Sequence, residues 1–218
     1  MPQNSHFSAP VHEKEQERVK ALEGYELLDT SAEPELDELT ELAALVCETP
    51  ISLISLVTAD RQWFKSKLGL QMSEAPRTIA FCHYAIHQTG IFEVMDASTD
   101  SRFLDNPLVR ENPNIRFYAG APLVTKDGHQ LGTLCVIDTE PKILSEEQRS
   151  ALRVLARQVM LHFELRRLRL EREKERAQLE QAHRQVKETQ QILKEHLQTC
   201  LFQIESLPEA LEQLSQKF

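Results

Sequence analysis

Apolar and polar positions recur along this chain with several different periods, and the points where the period changes mark its elements. Residues up to about Val11 are polar, hold two prolines and show no period, so this start is expected to be disordered. A helix is predicted from near His12, carrying Val19, Leu22 and Leu27. A second helix start follows, with Ser31 as a cap and Pro34 in the first turn. Leu36, Leu39, Ala43 and Val46 then recur at helical spacing until Thr49 and Pro50 stop the run. From Ile51 the pattern turns to β-branched and aromatic runs. ISLISLV and RQWFKSKLG read as a strand pair about the turn-like Thr58, Ala59 and Asp60.

A helix over 79–87 comes next, then a short strand in IFEVM and an irregular stretch with Asp96, Asp100, Asp105, Asn106 and Pro107. IRFYAGAPLV and QLGTLCVID flank Lys126, Asp127, Gly128 and His129, where Asp-Gly favours a tight hairpin. Ser145 opens a long helix. Gln148 stands where it completes a capping box, and Leu152, Leu155, Val159 and Phe163 line one face. No helix breaker follows until Pro208, which is expected to stop the helix. From about Arg166 the composition shifts to Glu, Lys, Arg and Gln, while Leu179, Val186, Leu193, Cys200 and Leu207 recur every seven residues. A second seam of His183, Gln190, Leu197 and Ile204 becomes apolar only in its later half. This is a coiled-coil pattern, and a long helix with such a seam needs a partner to cover it. A homodimer is therefore expected. The alternative is a single solvated helix laced with ion pairs one turn apart.

The 218 residues, 41% hydrophobic and 27% charged, suffice for one core and an extension. No window approaches the roughly 18 uncharged apolar residues that span a bilayer, and the start has neither a basic nor an apolar leader segment. A cytoplasmic chain without membrane partners is expected. A net charge of −9 repels phosphate backbones, so nucleic acid is not an expected partner. Cys47, Cys82, Cys135 and Cys200 are dispersed without CxxC spacing, which points to reduced thiols rather than a zinc module or a disulfide framework.

The blocks LLDTSAEPELDELTELAALVCETPISLISLVTADRQWFKSKLG, RTIAFCHYAI, VMDASTDSRFLDNPLV and IRFYAGAPLVTKDGHQLGTLCVIDTEP, in that order, resemble the GAF domains of bacterial signalling proteins. The resemblance implies an α+β fold: an antiparallel sheet flanked by helices, with terminal helices on one face and a small-molecule pocket on the other. It also implies a last helix that runs on as a coiled-coil stalk toward a kinase, a diguanylate or nucleotide cyclase, or a phosphatase. The organisation read from the chain is a disordered 1–11, a GAF sensory domain over 12–165, and a dimerising signalling helix over 166–207. Residues 208–218 form a tail or the lead into an output domain. No phosphoacceptor box, nucleotide-binding glycine loop or GGDEF-like run is present, so the chain is expected to be a sensor and not an enzyme.

Candidate pocket residues are Trp63, Phe81, Cys82, His83, Asp96, Phe103, Asp105, Arg116, Tyr118 and Cys135. Cys82 lies beside His83, and a neighbouring imidazolium lowers a thiol's pKa. That motivates the alternative of a thiol redox sensor, or of an enzyme resembling the free methionine sulfoxide reductases. Those enzymes need a second thiol on the loop that here reads DASTDSRFLDNP, which holds none. Cys135 comes at the cavity from the central strand, yet its alternation with Leu131, Thr133 and Ile137 fits a packed face. The competing reading makes both cysteines small buried hydrophobes, in a ligand-free dimerisation module. Covalent bilin is disfavoured, because the stretch around 108–114 has no cysteine. His83 and His87 share a helix face but lack a third ligand, so metal is disfavoured too. Arg116 and Tyr118 share one strand face, where the arginine either clamps an anion or bridges to Asp105. No cofactor is assigned.

Overall fold

The computed structural model describes residues 14–215, with side chains through Phe202 and at Ile204. The aperiodic start, the expected helix start at His12 and the side chain of Leu207 lie outside the described residues.

Helix α1 (Glu15–Glu23) is shorter than its apolar pattern suggested. The backbone turns to a positive φ at Glu26, so Leu27 leaves the helix and is fully buried from the turn that follows. In α2 (Pro34–Cys47) Pro34 takes the first position, where its missing N–H costs nothing. The residue before it is Glu33, not Ser31, and no side chain caps this end. Both residues are engaged elsewhere: Lys65 Nζ donates to the Ser31 carbonyl at 2.7 Å and pairs with Glu33 at 2.7 Å.

Six strands follow: β1 (Ile51–Val57), β2 (Arg61–Leu68), β3 (Glu74–Pro76), β4 (Phe92–Val94), β5 (Phe117–Val124) and β6 (Gln130–Asp138). They form one antiparallel sheet in the order β3-β2-β1-β6-β5-β4. β3 is too short to carry a period and was not foreseen. The helix expected over 79–87 is instead a 3₁₀ turn (Arg77–Ile79) and α3 (Phe81–Ala85). A further short helix, α4 (Pro107–Arg110), sits in the irregular stretch, where the Asn106 side chain accepts the Leu108 N–H at 2.9 Å. The β5–β6 loop closes as its sequence suggested, with Gly128 at φ +85°, which a side chain would strain.

Two bulges decide which way side chains face. Ile54 pairs with Ser66 and Ser55 with Phe64, leaving Lys65 as the extra residue on β2. Lys65 and Ser66 consequently both reach the α2 side, Lys65 to Thr30 and Ser66 to Asp37 and Thr40. Between β5 and β6, Leu123 pairs with Gly132 and Val124 with Gln130. Leu131 is thereby turned to the helix face with Leu134 and Val136, not to the face of Cys135 as strict alternation predicted.

The helix face of the sheet carries the larger core, closed by α1, α2 and the first turns of α5 (Glu146–Ser215). The capping box is formed: Ser145 N–H donates to Gln148 Oε1 at 3.0 Å, and Gln148 N–H to Ser145 Oγ at 3.2 Å. Leu152, Val159 and Phe163 are fully buried. A polar clasp then holds α5 to the α1–α2 segment. Tyr25 Oη donates to Glu164 at 2.5 Å, and Glu33 meets His162 at 2.9 Å and Arg166 at 3.1 Å. Burial works to raise the Glu33 carboxyl, but hydrogen bonds from Lys65 and His162 outweigh it and hold it below the usual range.

The chain divides into two units, one ending at Arg167 and one beginning at Leu168. The described part of the second is the later stretch of α5, which continues through Pro208 to Ser215 instead of stopping there. Within a helix a proline removes one backbone hydrogen bond and kinks the chain without always ending it. Leu179, Val186, Leu193, Leu197 and Ile204 each expose between 54% and 72% of their surface, and Cys200 is exposed as well. Among the described residues no helix is long and apolar enough to cross a membrane.

The buried Arg18 and Arg77 converge on Glu15, Arg18 at 2.6 Å and Arg77 at 2.5 Å. Burial works to raise the Glu15 carboxyl, but the hydrogen bonds from both guanidiniums bring it down from 4.5 to about 2. A folded-state pKa below the unfolded one stabilises above the unfolded value and loses that contribution as pH falls through the folded one. Glu15→Gln is therefore expected to cost about 1–3 kcal/mol at pH 7. Urea unfolding should find this difference narrowing as pH drops below about 4.5.

Candidate functional site

The sheet face opposite the long helices is where the fold can form a pocket. Leu53 and Val57 of β1, Phe64 of β2, Tyr118 of β5, and Cys135 and Ile137 of β6 point to it. α3 covers them with Phe81, Cys82, Ala85 and Ile86, and the stretch before β5 adds Phe103, Val109 and Ile115. Phe81 stacks on Phe103 with centroids 4.1 Å apart and on Tyr118 at 5.2 Å, while Tyr84 meets Phe103 edge-on at 5.0 Å. What remains is a cavity of about 20 Å³ lined by Leu53, Phe64, Phe81, Cys82, Ile115 and Tyr118 among others. That volume holds one water, where small-molecule sites need about 300 Å³ or more.

Cys82 lines this cavity, and Cys135 of β6 packs in the same core cluster. Gly120 has no side chain, and a Cβ there would come within 2.3 Å of the Tyr118 hydroxyl. Tyr118 therefore lies along the sheet and donates to Cys82 Sγ at 3.3 Å. Thr133 Oγ1 donates to the same sulfur at 3.2 Å, and Cys135, two residues on along the same face of β6, packs in the same core cluster. The neighbouring Cys135 thiol, together with the surrounding hydroxyls, outweighs burial and holds Cys82 below the ordinary thiol range. The same proximity, with burial, pushes Cys135 well above it. Burial and the neighbouring thiols likewise raise Tyr118.

The structure brings together Phe81, Cys82, Phe103, Tyr118 and Cys135, and sends the other candidates elsewhere. Trp63 packs in the helix-face core, and its neighbour Phe64 reaches the cavity instead. His83 turns to Arg77, 3.3 Å from Nη2, so it is not the group that lowers Cys82. The His83 and His87 rings lie 5.6 Å apart, with His87 beyond the end of α3. Among the described residues no three His, Cys, Asp or Glu gather as metal ligands. Asp96 closes its own turn by accepting from Ser98. Asp105 pairs with Arg110 at the surface, not with Arg116. Arg116 precedes β5 and donates through Nη1 to the carbonyls of Val109, Asn114 and Ile115, which fastens a loop. Phe64 belonged, with Trp63, Phe81 and Phe103, to the aromatic surface that the sequence placed around this region, whereas sequence reasoning missed Leu53 and Ile137. Alternation within β1 and β6 was the available signal for the last two.

A roomier concavity of about 510 Å³ lies open between α5 and β5. Ala121, Ala156 and Met160 form its floor, and Lys126, Arg153 and Arg157 stand at its rim.

Residues 31–163 match the GAF domain family, and the chain belongs to it. It is 45% identical over 152 residues to the cyclic di-GMP phosphodiesterase PA2567 of Pseudomonas aeruginosa, covering 69% of this chain and 26% of that protein. The chain thus spans about a quarter of that relative's length. Among solved structures, the GAF domain of a phosphoenolpyruvate-protein phosphotransferase from Coxiella burnetii is similar at 15% identity and TM-score 0.51, over 72% of this chain and 98% of that one. The chromophore-binding domain of a bacteriophytochrome from R. palustris is similar at 11% identity and TM-score 0.50, over 72% of this chain and 63% of that one. These likenesses show the fold: an antiparallel sheet with helices on one face and short elements closing the other.

Because Phe103 is fully buried between Phe81 and Tyr84, Phe103→Ala is expected to cost about 3–5 kcal/mol. Denaturant unfolding measures that loss. Xenon or benzene soaked into crystals should occupy the enlarged space.

Proposed function

We propose that this chain is a regulatory GAF module of bacterial signal transduction that pairs with a second copy through α5. It passes the packing state of its domain along that helix to an output in the same polypeptide. The observation that carries this reading is the double use of α5. The helix buries Leu152, Val159 and Phe163 in the domain, and it continues without interruption to a stretch whose apolar residues are exposed at heptad spacing. A rotation or shift of α5 must therefore disturb the helix-face core and the Glu33 and Glu164 clasps. Conversely, a change in that core must bias the helix.

The likeness to PA2567 favours a cyclic di-GMP phosphodiesterase as the output, a class outside the outputs suggested by the resemblance alone. Catalysis belongs to that output and not to this chain. The filled cavity supports a module governed by packing and partner contacts, with no nucleotide bound beneath α3.

Sedimentation velocity at micromolar concentration is expected to give twice the mass of the chain. Leu193→Asp with Leu197→Asp should give a single-chain mass with an unchanged near-ultraviolet spectrum of the domain. A wild-type protein that sediments as one chain overturns the proposal.

A further inference from the structure

Pairing through α5 makes no use of Cys82 and Cys135, two buried thiols that share one core cluster and have chemistry of their own. We propose that Cys82 and Cys135 are a redox site at which a small hydroperoxide converts two thiols into a disulfide that ties α3 to β6.

The arrangement meets each requirement of that reaction. Cys82 Sγ lies 3.2 Å from Thr133 Oγ1, and Cys135 follows Thr133 on the same face of β6 within the same core cluster, so a resolving thiol stands near the attacking one. Cys82 lines the cavity and Cys135 does not, which assigns the first attack to Cys82. The donors that surround Cys82, Thr133 at 3.2 Å and Tyr118 at 3.3 Å, stabilise its thiolate and stand ready to hydrogen-bond the leaving oxygen. Cys47 supplies the internal contrast. It is equally buried, but burial pushes its thiol up to about 11 and no comparable set of donors faces it. The space of about 20 Å³ at Cys82 suits a molecule little larger than water and excludes a branched alkyl peroxide.

In the first step the Cys82 sulfur attacks the terminal oxygen of the peroxide. An S–O bond forms and the O–O bond breaks. The departing oxygen leaves as alcohol or water, carrying the proton that Cys82 released. Cys82 becomes a sulfenic acid as the peroxide is reduced. The Cys135 sulfur then attacks that sulfur. An S–S bond forms, the S–OH bond breaks, and water departs with the proton of Cys135. One peroxide has accepted the two electrons of two thiols.

This site is independent of dimerisation, and its test does not require it. The chain bearing Cys200→Ser, which removes the exposed thiol, is treated with stoichiometric hydrogen peroxide, quenched in acid, alkylated unfolded and mapped by mass spectrometry. The expected product has lost two hydrogens and yields a peptide linking Cys82 to Cys135, with Cys47 still alkylated. Cys82 should react at least about tenfold faster than Cys47, and tert-butyl hydroperoxide should be much slower than hydrogen peroxide. With Cys135→Ser added, dimedone should label Cys82. If that variant fails to fold, the mapping of the parent protein decides. Cys82 and Cys135 both alkylated after excess peroxide, a disulfide that includes Cys47, or equal rates with the two peroxides would overturn the proposal.

Discussion

The burial of one face of α5 against the sheet is the constraint on which the rest of this molecule depends. Leu152, Val159 and Phe163 leave no surface exposed, so the helix cannot rotate independently of β5, β6 and the α1–α2 segment. Interiors are close-packed and yield by switching between arrangements more readily than by deforming smoothly. The clasps at its last domain turns add direction to that coupling. Tyr25 with Glu164, and Glu33 with His162, Arg166 and Lys65, lock a specific helix phase and not merely a buried stripe. Changing that phase would leave partly buried charges unpaired, which costs more than the lost bonds alone.

The opposite face of the sheet follows a different logic. A pocket-forming surface has been closed by its own rings, with Phe81 between Phe103 and Tyr118. Gly120 is what lets Tyr118 lie flat, and the hydroxyl this places deep in the core meets the Cys82 thiol. Closure and thiol contact thus share a cause. The ring that fills the space also carries the polar tip that organises Cys82, while Thr133 donates to the same sulfur.

Much of this was legible in the residues. The strand bounds of β1, the hairpin, the Ser145–Gln148 box and the sheet-and-helix architecture all follow from periodicity and turn chemistry. What was illegible depended on register. Trp63 and Phe64 are adjacent, so one faces each side, and the bulge at Lys65 cannot be seen in composition. The bulge at Leu131 reversed a face in the same way. Asp105 and Arg116 looked like partners because both flank the irregular stretch, yet Arg110 and three backbone carbonyls stand nearer. The meeting of Cys82 with Cys135, 53 positions on, depends on α3 lying over β6. A short helix carries no sequence signal for where it docks. Pro208 misled in the other direction, since a strong local breaker was overruled within a long helix.

The central proposal is the pairing of α5 with a second copy of itself, taken as parallel so that each of Leu179, Val186 and Leu193 faces its own counterpart. Electron–electron double resonance between spin labels on Cys substituted at Lys194, in protein lacking Cys200, addresses it directly. The account predicts a single narrow distance set by helix axes about 10 Å apart plus the two label arms. A broad distribution, or no dipolar signal at all, would contradict it.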